Sequence, residues 1–514
     1  MNDRHSLVLK IITLLTLTAK ICSIVGKERY NLKFVSSKRM FTKAVLMCSI
    51  AVFLTGTGCS GVNSQSPSSS ESGATSEVGF NKSSNTNSED MVLTLALTGN
   101  PDIQDVIDTF NAADNGYQIV VKRYRENVGS NGLPITYTDE ESQYADLEIL
   151  QDIINTDDID IICSESFFDG TYYALLEGKG AFADLYPFME QDEEVNPSTL
   201  NQHILHLNET NGKLCSLPTF YGATTLIGES RYVGTKENWT IDDFMSYWNQ
   251  MPDGSTINNS RQCEEVYYTL LRGNLSSFVD YENARVNFDS PEFKRILEFC
   301  GAFDSNHNEK GIYDYDAPEF VFPFYMDGFM SAAGVYYGDE PYTLVGYPSS
   351  DGEGAFLSAR DVSYSISAKS SPEKQMGAWQ FIRTFVTYEY QLSHDIMLID
   401  PDDSDCKEYN AELGFPLNNK AFDEIAQGII TGKYYGGTFQ DKGETYNIIL
   451  PTQQDYQNIC AYLNGIDRWE ATGDGALWNI INEEVNAYFS GERSIDDTVN
   501  VIQSRASLWI AEQS

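Results

Sequence analysis

The sequence predicts an α/β protein with at least two lobes, and two observations lead to this expectation. Short apolar runs that suit buried strands alternate with helical patterns from residue 91 onwards, which is the order typical of α/β folds. The region that follows residue 90 is about 420 residues long, which exceeds the size of one ordinary core.

Residues 1–58 have the composition of a leader and are set apart from the fold. MFTKAVLMCSIAVFLTGTGC, which begins at Met40, has a basic start, a short apolar run and small residues before Cys59. This stretch resembles a bacterial lipoprotein signal, in which the cysteine is acylated and becomes the N-terminus, although Gly56 stands where such signals usually have Leu. The alternatives are an ordinary signal peptide with an unmodified cysteine and, for the start, a long unusual leader in place of initiation at Met40.

Residues 59–90 are expected to form a lipid-anchored tether. They are rich in Ser, Asn and Gly and contain too few apolar residues to fold. A flexible chain of about 30 residues has a root-mean-square reach of roughly 30 Å. The tether would therefore hold a folded body near a membrane but clear of its surface.

The chain beyond the leader is strongly acidic. The sequence has 34 Lys and Arg against 75 Asp and Glu, and residues 1–58 contain nine and two of these, which leaves a net charge of −48. Such a surface repels nucleic acid and anionic lipid. We therefore expect no nucleic-acid partner, and a membrane association by the lipid anchor only. Six cysteines follow Cys59 without CxxC spacing, so disulfides are open but cannot be paired from the sequence.

The elements begin with a βαβ unit. MVLTLALTGN is an apolar strand with a loop, and the helical spacing in PDIQDVIDTFNAADNGYQIVVKRY is followed by the Asn115-Gly116 turn and a second strand. IDIICSESF is a further apolar strand that ends in a polar loop. YYALLEGKGAFADL is expected to be a helix stopped by glycines, and NGKLCSLPTFYGATTLIG a turn with extended segments.

The order of these segments resembles the family 1 extracellular solute-binding proteins of ABC transporters, of the maltose- and oligosaccharide-binding type. The landmarks are the first βαβ unit, DIDIICSESFFDGTYYALLEGKGAFADLYPFME, NGKLCSLPTFYGATTLIGESRYVG, ENWTIDDFMSYWNQMP, GFMSAAGVYYGDEPYTLVGYPSSDG, DVSYSISAKSSPEKQMGAWQFIRTFVTYEYQ, GFPLNNKAF and IINEEVNAYFSGERSIDDTVNVIQSRASLWIAE. Their order carries the resemblance, since no single piece is specific. The segment from 125 to 148 and DRWEATGDG depart from it by being longer than in many relatives.

The resemblance implies the type II fold of periplasmic binding proteins, with two α/β lobes joined by hinge strands and a ligand cleft between them. On this chain, lobe 1 would comprise 91–220 plus 350–412. Lobe 2 would comprise 221–349 plus 413–514.

The resemblance also implies site residues, because a sugar offers apolar faces and a rim of hydroxyls to aromatic and polar side chains. The predicted aromatic positions are Trp478, Tyr336, Tyr337, Tyr221, Tyr267 and Phe167. The predicted polar positions are Asn100, Glu165, Asp339 and Glu340. For each aromatic residue the alternative is a place in the core, and for each carboxylate it is a solvated loop. Trp239, Trp379 and Trp509, among apolar neighbours in helical patterns, are expected to be structural.

Catalytic and metal-binding motifs are not found in the sequence. It has no GxSxG, HExxH or GxxxxGK[ST] motif, and its one GxGxxG string, from Gly56 to Gly61, spans the end of the leader and the start of the tether instead of joining a strand to a helix. His203, His206 and Glu209 have helical spacing, but a solvated face is the favoured interpretation over a metal site. Residues 304–311 depart from a calcium loop in the place of their glycine and in lacking the last Glu. We therefore predict a protein without cofactor or resident metal that is not an enzyme.

Together these features predict a monomeric, lipid-anchored substrate-binding subunit of an ABC importer on the outer side of the cell membrane. It would capture a small solute, with an oligosaccharide favoured over a peptide, and deliver it to permease subunits. Two alternatives stay open: a secreted carbohydrate-active enzyme, which would also use aromatic and paired acidic residues, and a ligand-binding subunit of a membrane sensor.

Overall fold

A computed structural model describes residues 91–97, 103–124, 151–165, 176–177, 179–280, 283–303, 318–335, 341–398, 407–409, 414–434, 438–441, 444–447, 449–470 and 475–513. The mixture of helices and strands over these ranges confirms the predicted α/β class. The leader, the tether with Cys59, and the segment from 304 to 311 lie outside the described residues.

The described strands, in chain order, are β1 Met91–Leu97, β2 Tyr117–Arg123, β3 Ile161–Glu165, β4 Glu209–Thr210, β5 Lys213–Leu214, β6 Leu217–Glu229, β7 Val279–Asp280, β8 Arg285–Val286, β9 Phe322–Met326, β10 Tyr342–Leu344, β11 Phe356–Ile366, β12 Ile396–Leu398, β13 Lys407–Tyr409, β14 Phe415–Pro416, β15 Thr438–Asp441 and β16 Glu444–Asn447. Eight of them form one mixed sheet in the order β10-β6-β11-β3-β1-β2, with β9 and β14 also paired to β6.

The described α-helices are α1 Gln104–Ala112, α2 Tyr186–Met189, α3 Gln202–Leu207, α4 Ser230–Val233, α5 Ile241–Trp248, α6 Cys263–Arg272, α7 Leu275–Phe278, α8 Pro291–Cys300, α9 Phe329–Gly334, α10 Pro372–Ile382, α11 Tyr388–Asp395, α12 Asn419–Ile430, α13 Gln453–Asn464, α14 Gly475–Phe489 and α15 Ile495–Gln513. A 3-10 turn, Arg383–Val386, follows α10. No described helix has the length and apolar composition needed to cross a bilayer.

The predicted βαβ unit is present at the start of the sheet. β1 and β2 are parallel, and α1 between them buries Ile107 against the sheet. Gly116 has a φ of 79°, the left-handed conformation that suits glycine in the turn before β2. The apolar spacing and the Asn-Gly pair were therefore sufficient to place this unit.

The buried apolar side chains form two large hydrophobic cores. The first core collects residues from β1, β3, α10, α12 and α13. The second core collects residues from α5, α6, α8, α14 and α15. β6 is buried over all 13 of its residues, and it gives Leu217, Tyr221 and Ile227 to the first core and Leu226 to the second. The long strands of the sheet therefore link the two cores.

The lobe boundaries stay predictions. The membership of the two cores can nevertheless be compared with the lobes that the resemblance implies. Leu417, Ile425 and Leu463, which the resemblance places in lobe 2, pack into the first core together with Phe322 and Val335. Leu477 to Ile510 pack into the second core. Chain order alone does not say on which side of the hinge strands a segment packs.

The three tryptophans expected to be structural are buried, with exposures of 0 % for Trp239, 2 % for Trp379 and 9 % for Trp509. Trp239 does not lie in a helix, however. It precedes α5, and its ring stacks on Tyr247. Its apolar neighbours are therefore brought together by tertiary packing rather than by helical spacing. The cysteines at 215, 263, 300 and 460 are free thiols.

Candidate functional site

A set of side chains lies on one face of the sheet where β9, β6 and β11 run side by side. Thr224 of β6 is paired with Tyr325 on β9 and with Phe356 on β11. Because side chains alternate along a strand, the residues that share this face follow from the register. They are Gly222, Thr224, Tyr325, Phe356, Ser358 and Arg360, to which we add Asp327, which directly follows β9 and interacts electrostatically with Arg360. We call this set the sheet face.

Arg360 crosses the sheet face above Gly222. A Cβ atom at position 222 would lie 2.6 Å from the Nε atom of Arg360, so only glycine leaves room for this side chain. The guanidinium carbon is 5.7 Å from the centre of the Tyr325 ring, and Nη2 donates a 3.4 Å hydrogen bond to the Thr224 hydroxyl. Gly222 and the ring of Tyr325 together position the guanidinium group of Arg360.

The second core adds an ion pair beside the sheet face. Arg272, the last residue of α6, donates from Nε to Glu470 Oε1 at 3.0 Å and from Nη1 to the Tyr347 hydroxyl at 3.3 Å. Its guanidinium carbon is 5.1 Å from the centre of the Tyr347 ring. The Thr224 hydroxyl is 3.5 Å from Glu470 Oε2. A continuous polar network therefore runs from α6 across Glu470 and Thr224 to Arg360.

The pKa values of Arg272 and of Asp327 on the sheet face are both shifted. Burial disfavours the charge of Arg272, but the nearby Tyr347 and Glu470 outweigh it and raise the pKa of this guanidinium above its usual value. Burial also raises the pKa of the Asp327 carboxyl, and the neighbouring Arg360 only partly opposes that shift. Arg272 is therefore a fixed cation, and Asp327 is a carboxyl whose ionised form is disfavoured.

Three buried polar atoms on the sheet face make no hydrogen bond within the described part of the chain. They are Arg360 Nε, Ser358 Oγ and Asp327 Oδ1. A buried polar atom without a partner costs free energy, and such atoms are uncommon in folded proteins. Donors and acceptors on one surface without partners are suited to a polar ligand.

An aromatic pair lies one helical turn from the ion pair. Tyr268 is four residues before Arg272 on α6 and therefore lies on the same side of that helix. Its ring is 5.6 Å from the ring of Trp478 on α14, and its hydroxyl accepts a 2.9 Å hydrogen bond from Asn482. Tyr268 is 44 % exposed, and Trp478 is half-buried. The second core thus presents accessible aromatic surface beside charged groups.

Of the residues predicted for the site, Trp478 lies in this aromatic pair. Tyr221 is 1 % exposed and packs against Phe415, and its hydroxyl accepts a hydrogen bond from Asn201. It is adjacent to Gly222 in β6 and therefore points to the opposite face of the sheet, where it lines a separate cavity of about 440 Å³ with Tyr456 and other residues. Burial raises the pKa of the Tyr221 hydroxyl.

Tyr267 is part of the second core rather than of the accessible aromatic surface. It is 1 % exposed, its ring packs against Phe489, and burial raises the pKa of its hydroxyl. Its neighbour Tyr268 holds the accessible position, because consecutive residues of a helix differ by about 100° in direction. The stacking role predicted for Tyr267 does not fit this burial.

The remaining predicted positions are not placed by the structure. Glu165 ends β3, and nothing is described of its side chain. The others lie outside the described residues: Asn100, Phe167, Tyr336, Tyr337, Asp339 and Glu340. Their roles stay predictions.

Most residues of the polar network were not predicted from the sequence. Arg360 stands inside the strand pattern FLSARDVSYSI, where a charged residue among alternating apolar positions is a usable signal. Arg272, Tyr347 and Glu470 carry no such signal, since they meet only through tertiary packing.

The three residues with metal-like spacing do not converge. His206 Nδ1 is 2.7 Å from Glu209 Oε1, whereas His203 Nε2 is 2.9 Å from the backbone oxygen of Ile466. No group of three or more His, Cys, Asp or Glu among the described residues is arranged to hold a metal ion. Glu209 lies on β4, beyond the end of α3, so the single helix face expected for the three residues does not include it.

Comparison with known proteins gives structural likeness at low identity. No protein-family model matches the chain, and no curated protein matches its sequence. A solved structure titled as a de novo designed cysteine esterase has a TM-score of 0.50 at 14% identity and covers 83% of this chain and 99% of its own. This likeness concerns the fold alone.

Two natural proteins are similar at lower TM-scores. A family 1 extracellular solute-binding protein from Alicyclobacillus acidocaldarius has a TM-score of 0.47 at 10% identity, covering 83% of this chain and 100% of its own. Maltose-bound MalE3 from T. maritima has a TM-score of 0.42 at 15% identity, covering 82% and 100%.

Proposed function

We propose that this protein is the solute-binding subunit of an ABC importer and that its solute is an oligosaccharide. The observation that carries the proposal is the polar network between the two cores together with the Trp478–Tyr268 pair beside it. Aromatic rings accept the apolar faces of a sugar, and charged side chains accept and donate hydrogen bonds at its hydroxyl rim.

The position of the network supports capture between two bodies. Arg272 and Trp478 belong to elements of the second core, whereas Arg360 lies on β11, whose Leu357 and Val362 belong to the first. A ligand that contacts both sides gains all of its contacts only when the two bodies approach each other. The sequence adds the family resemblance, a secretion signal and a tether.

A binding screen tests the proposal directly. Purified residues 60–514 would be titrated by calorimetry with maltose, maltotriose, cellobiose, xylobiose, a trisaccharide of galacturonate and, for comparison, a tripeptide. We expect at least one oligosaccharide to bind in the micromolar range and to raise the melting temperature by mass action. Binding of the peptide alone, or of nothing in the panel, would contradict the proposal.

The same preparation separates binding from hydrolysis. A secreted carbohydrate-active enzyme would release shorter sugars from a bound oligosaccharide, and chromatography after prolonged incubation would detect them. We expect the sugar to be recovered intact. A sensor subunit would also bind without hydrolysis, and it differs from an importer in that deletion of the gene would leave uptake of the labelled sugar unchanged.

We further propose that acylation of Cys59 anchors the protein to the outer face of the cell membrane. Each buried methylene of an acyl chain contributes about 0.8 kcal/mol, so two or more chains hold a protein stably. Cys59→Ala should therefore move the protein from the membrane fraction to the medium, whereas Cys460→Ala, a change in the folded body, should not. Equal membrane retention of Cys59→Ala would contradict the anchor.

A further inference from the structure

The two guanidinium groups of the polar network differ in how their charge is balanced. Arg272 forms an ion pair with Glu470. Arg360 forms no ion pair with any described carboxylate, and its contacts are the Thr224 hydroxyl at 3.4 Å and the face of the Tyr325 ring. Asp327 is near enough to Arg360 to interact with it electrostatically, yet no ion pair or hydrogen bond joins them.

This arrangement is costly without a ligand. The Nε atom of Arg360 is buried and makes no hydrogen bond, although a guanidinium keeps its proton and its charge in proteins. The Arg360 side chain as a whole is only half-buried, and its buried donor costs free energy that a hydrogen-bond acceptor would offset. The chain has a net charge of −41, yet no carboxylate among the described residues forms an ion pair with Arg360.

The planar guanidinium of Arg360 fits an anion that offers two oxygens, and among the substituents of a saccharide the carboxylate of a uronic acid offers them. A guanidinium presents its N–H groups in a planar fork that binds both oxygens of a carboxylate, which lysine and amide side chains do not reproduce. The neighbouring Ser358 hydroxyl and Asp327 Oδ1, also buried and unpaired, offer further partners to adjacent hydroxyl groups. The Trp478–Tyr268 pair offers the surface for a sugar ring.

We propose that Arg360 binds a carboxylate of the solute and that the solute class is an oligosaccharide containing uronic acid. This inference rests on the proposed function and narrows it. The acidic surface of the protein repels such a solute at long range, so the attraction is confined to the site and depends on this one side chain.

Calorimetry on residues 60–514 with matched pairs of ligands tests the proposal. The probes are oligomers of galacturonate, glucuronate and mannuronate, each compared with its neutral methyl ester, which keeps the ring and removes the charge. We expect at least one acidic oligomer to bind tenfold or more tightly than its ester. Arg360→Gln should abolish this preference, Arg360→Lys should keep part of it, and Arg285→Gln, a change at an exposed residue of β8, should leave it intact.

The outcomes separate this inference from the function it rests on. If neutral oligosaccharides bind and no acid is preferred over its ester, the carboxylate partner is wrong and the solute-binding function stands. If no saccharide binds at all, both are wrong. If circular dichroism shows that Arg360→Gln does not fold, the test uses the native protein and Arg360→Lys. The ratio of their affinities for the acidic oligomer and its ester then decides whether Arg360 binds the carboxylate. An unchanged ratio in a folded Arg360→Gln variant would also overturn the proposal.

Discussion

At the scale of single residues, Trp478 is expected both to stabilise the second core and to bind the ligand. It is half-buried, packs against the second core and contacts Tyr268, so part of its ring stabilises the fold and part is accessible. Trp478→Ala should lower oligosaccharide affinity by about 1 to 3 kcal/mol, the scale for the loss of a binding anchor. It should also lower the stability of the free protein, by about 0.5 to 1.5 kcal/mol for the lost ring pair plus the lost burial.

Trp248→Ala is a matched control for Trp478→Ala. Trp248 is likewise half-buried against the second core, but its ring contacts Phe303 and Phe320 instead of the accessible aromatic surface. This variant should lose stability and keep its affinity for the sugar in the folded fraction. If both variants bind the sugar as well as the native protein does, Trp478 is a core residue only.

Glu265 gives a prediction about pH. Burial raises the pKa of this carboxyl above its usual value, although Asn258 donates a hydrogen bond to it. A folded-state pKa above the unfolded one means that the protonated group favours folding at low pH, and that this contribution is lost as pH rises through the folded-state pKa. Glu265→Gln should therefore be more stable than the native protein at pH 7, and this advantage should shrink towards pH 4.

Thermal unfolding between pH 4 and pH 8 checks the effect of Glu265→Gln. Glu298→Gln, at an exposed position on α8, removes one carboxylate from the surface and is the control for the change of net charge. An advantage of Glu265→Gln that stays constant across the range would show that the change acts through packing rather than through the charge.

At the scale of elements, the sequence predicted strands and helices where local pattern decides them. The first βαβ unit follows from the spacing around Ile107 and from the Asn115-Gly116 turn, and β3 from its apolar run. LPTFYGATTLIG was expected to be extended, but its role as the central strand β6 depends on four strand partners that no local pattern specifies. The site was missed for the same reason, since Arg272 and Glu470 are separated by almost 200 residues.

The connection between β10 and β11 supplies an element-scale prediction. Gly354 passes so close to Tyr347 that a Cβ atom there would lie 1.5 Å from the backbone oxygen of Tyr347. This contact holds the segment that places the Tyr347 ring against Arg272. Gly354→Ala should therefore cost about 2 kcal/mol or more in the free energy of unfolding, because neither backbone segment has room to move without disturbing the core.

Gly116→Ala is the comparison for Gly354→Ala. Position 116 has a positive φ and open space around it, so the cost there is backbone strain alone, about 1 kcal/mol. Urea unfolding should rank Gly354→Ala as the more destabilised variant, and only that variant should also weaken sugar binding. The reverse order would mean that the loop adjusts freely and does not position Tyr347.

At the scale of the whole molecule, the two cores are joined by strands that are unusually long. β6 has 13 residues and β11 has 11, against a typical strand of about 5 to 6 residues, and each contacts both cores. Because each of these strands is continuous between the two cores, the cores would move relative to each other by bending of the strands and not by a break in them. The polar network lies where such a bend would bring α6 and the sheet face together.

Closure around the solute is the prediction that belongs to this scale. A ligand that joins Arg272 and Trp478 of the second core to Arg360 on β11 stabilises the arrangement in which these groups are closest, because only there does it gain every contact. Small-angle scattering should show a smaller radius of gyration with saturating oligosaccharide than without it. The control is a sugar from the panel that does not bind, which should leave the radius unchanged. An unchanged radius with the bound sugar would mean that the two cores are already fixed at the distance the ligand requires, so that binding affinity would come from a preformed site and not from closure.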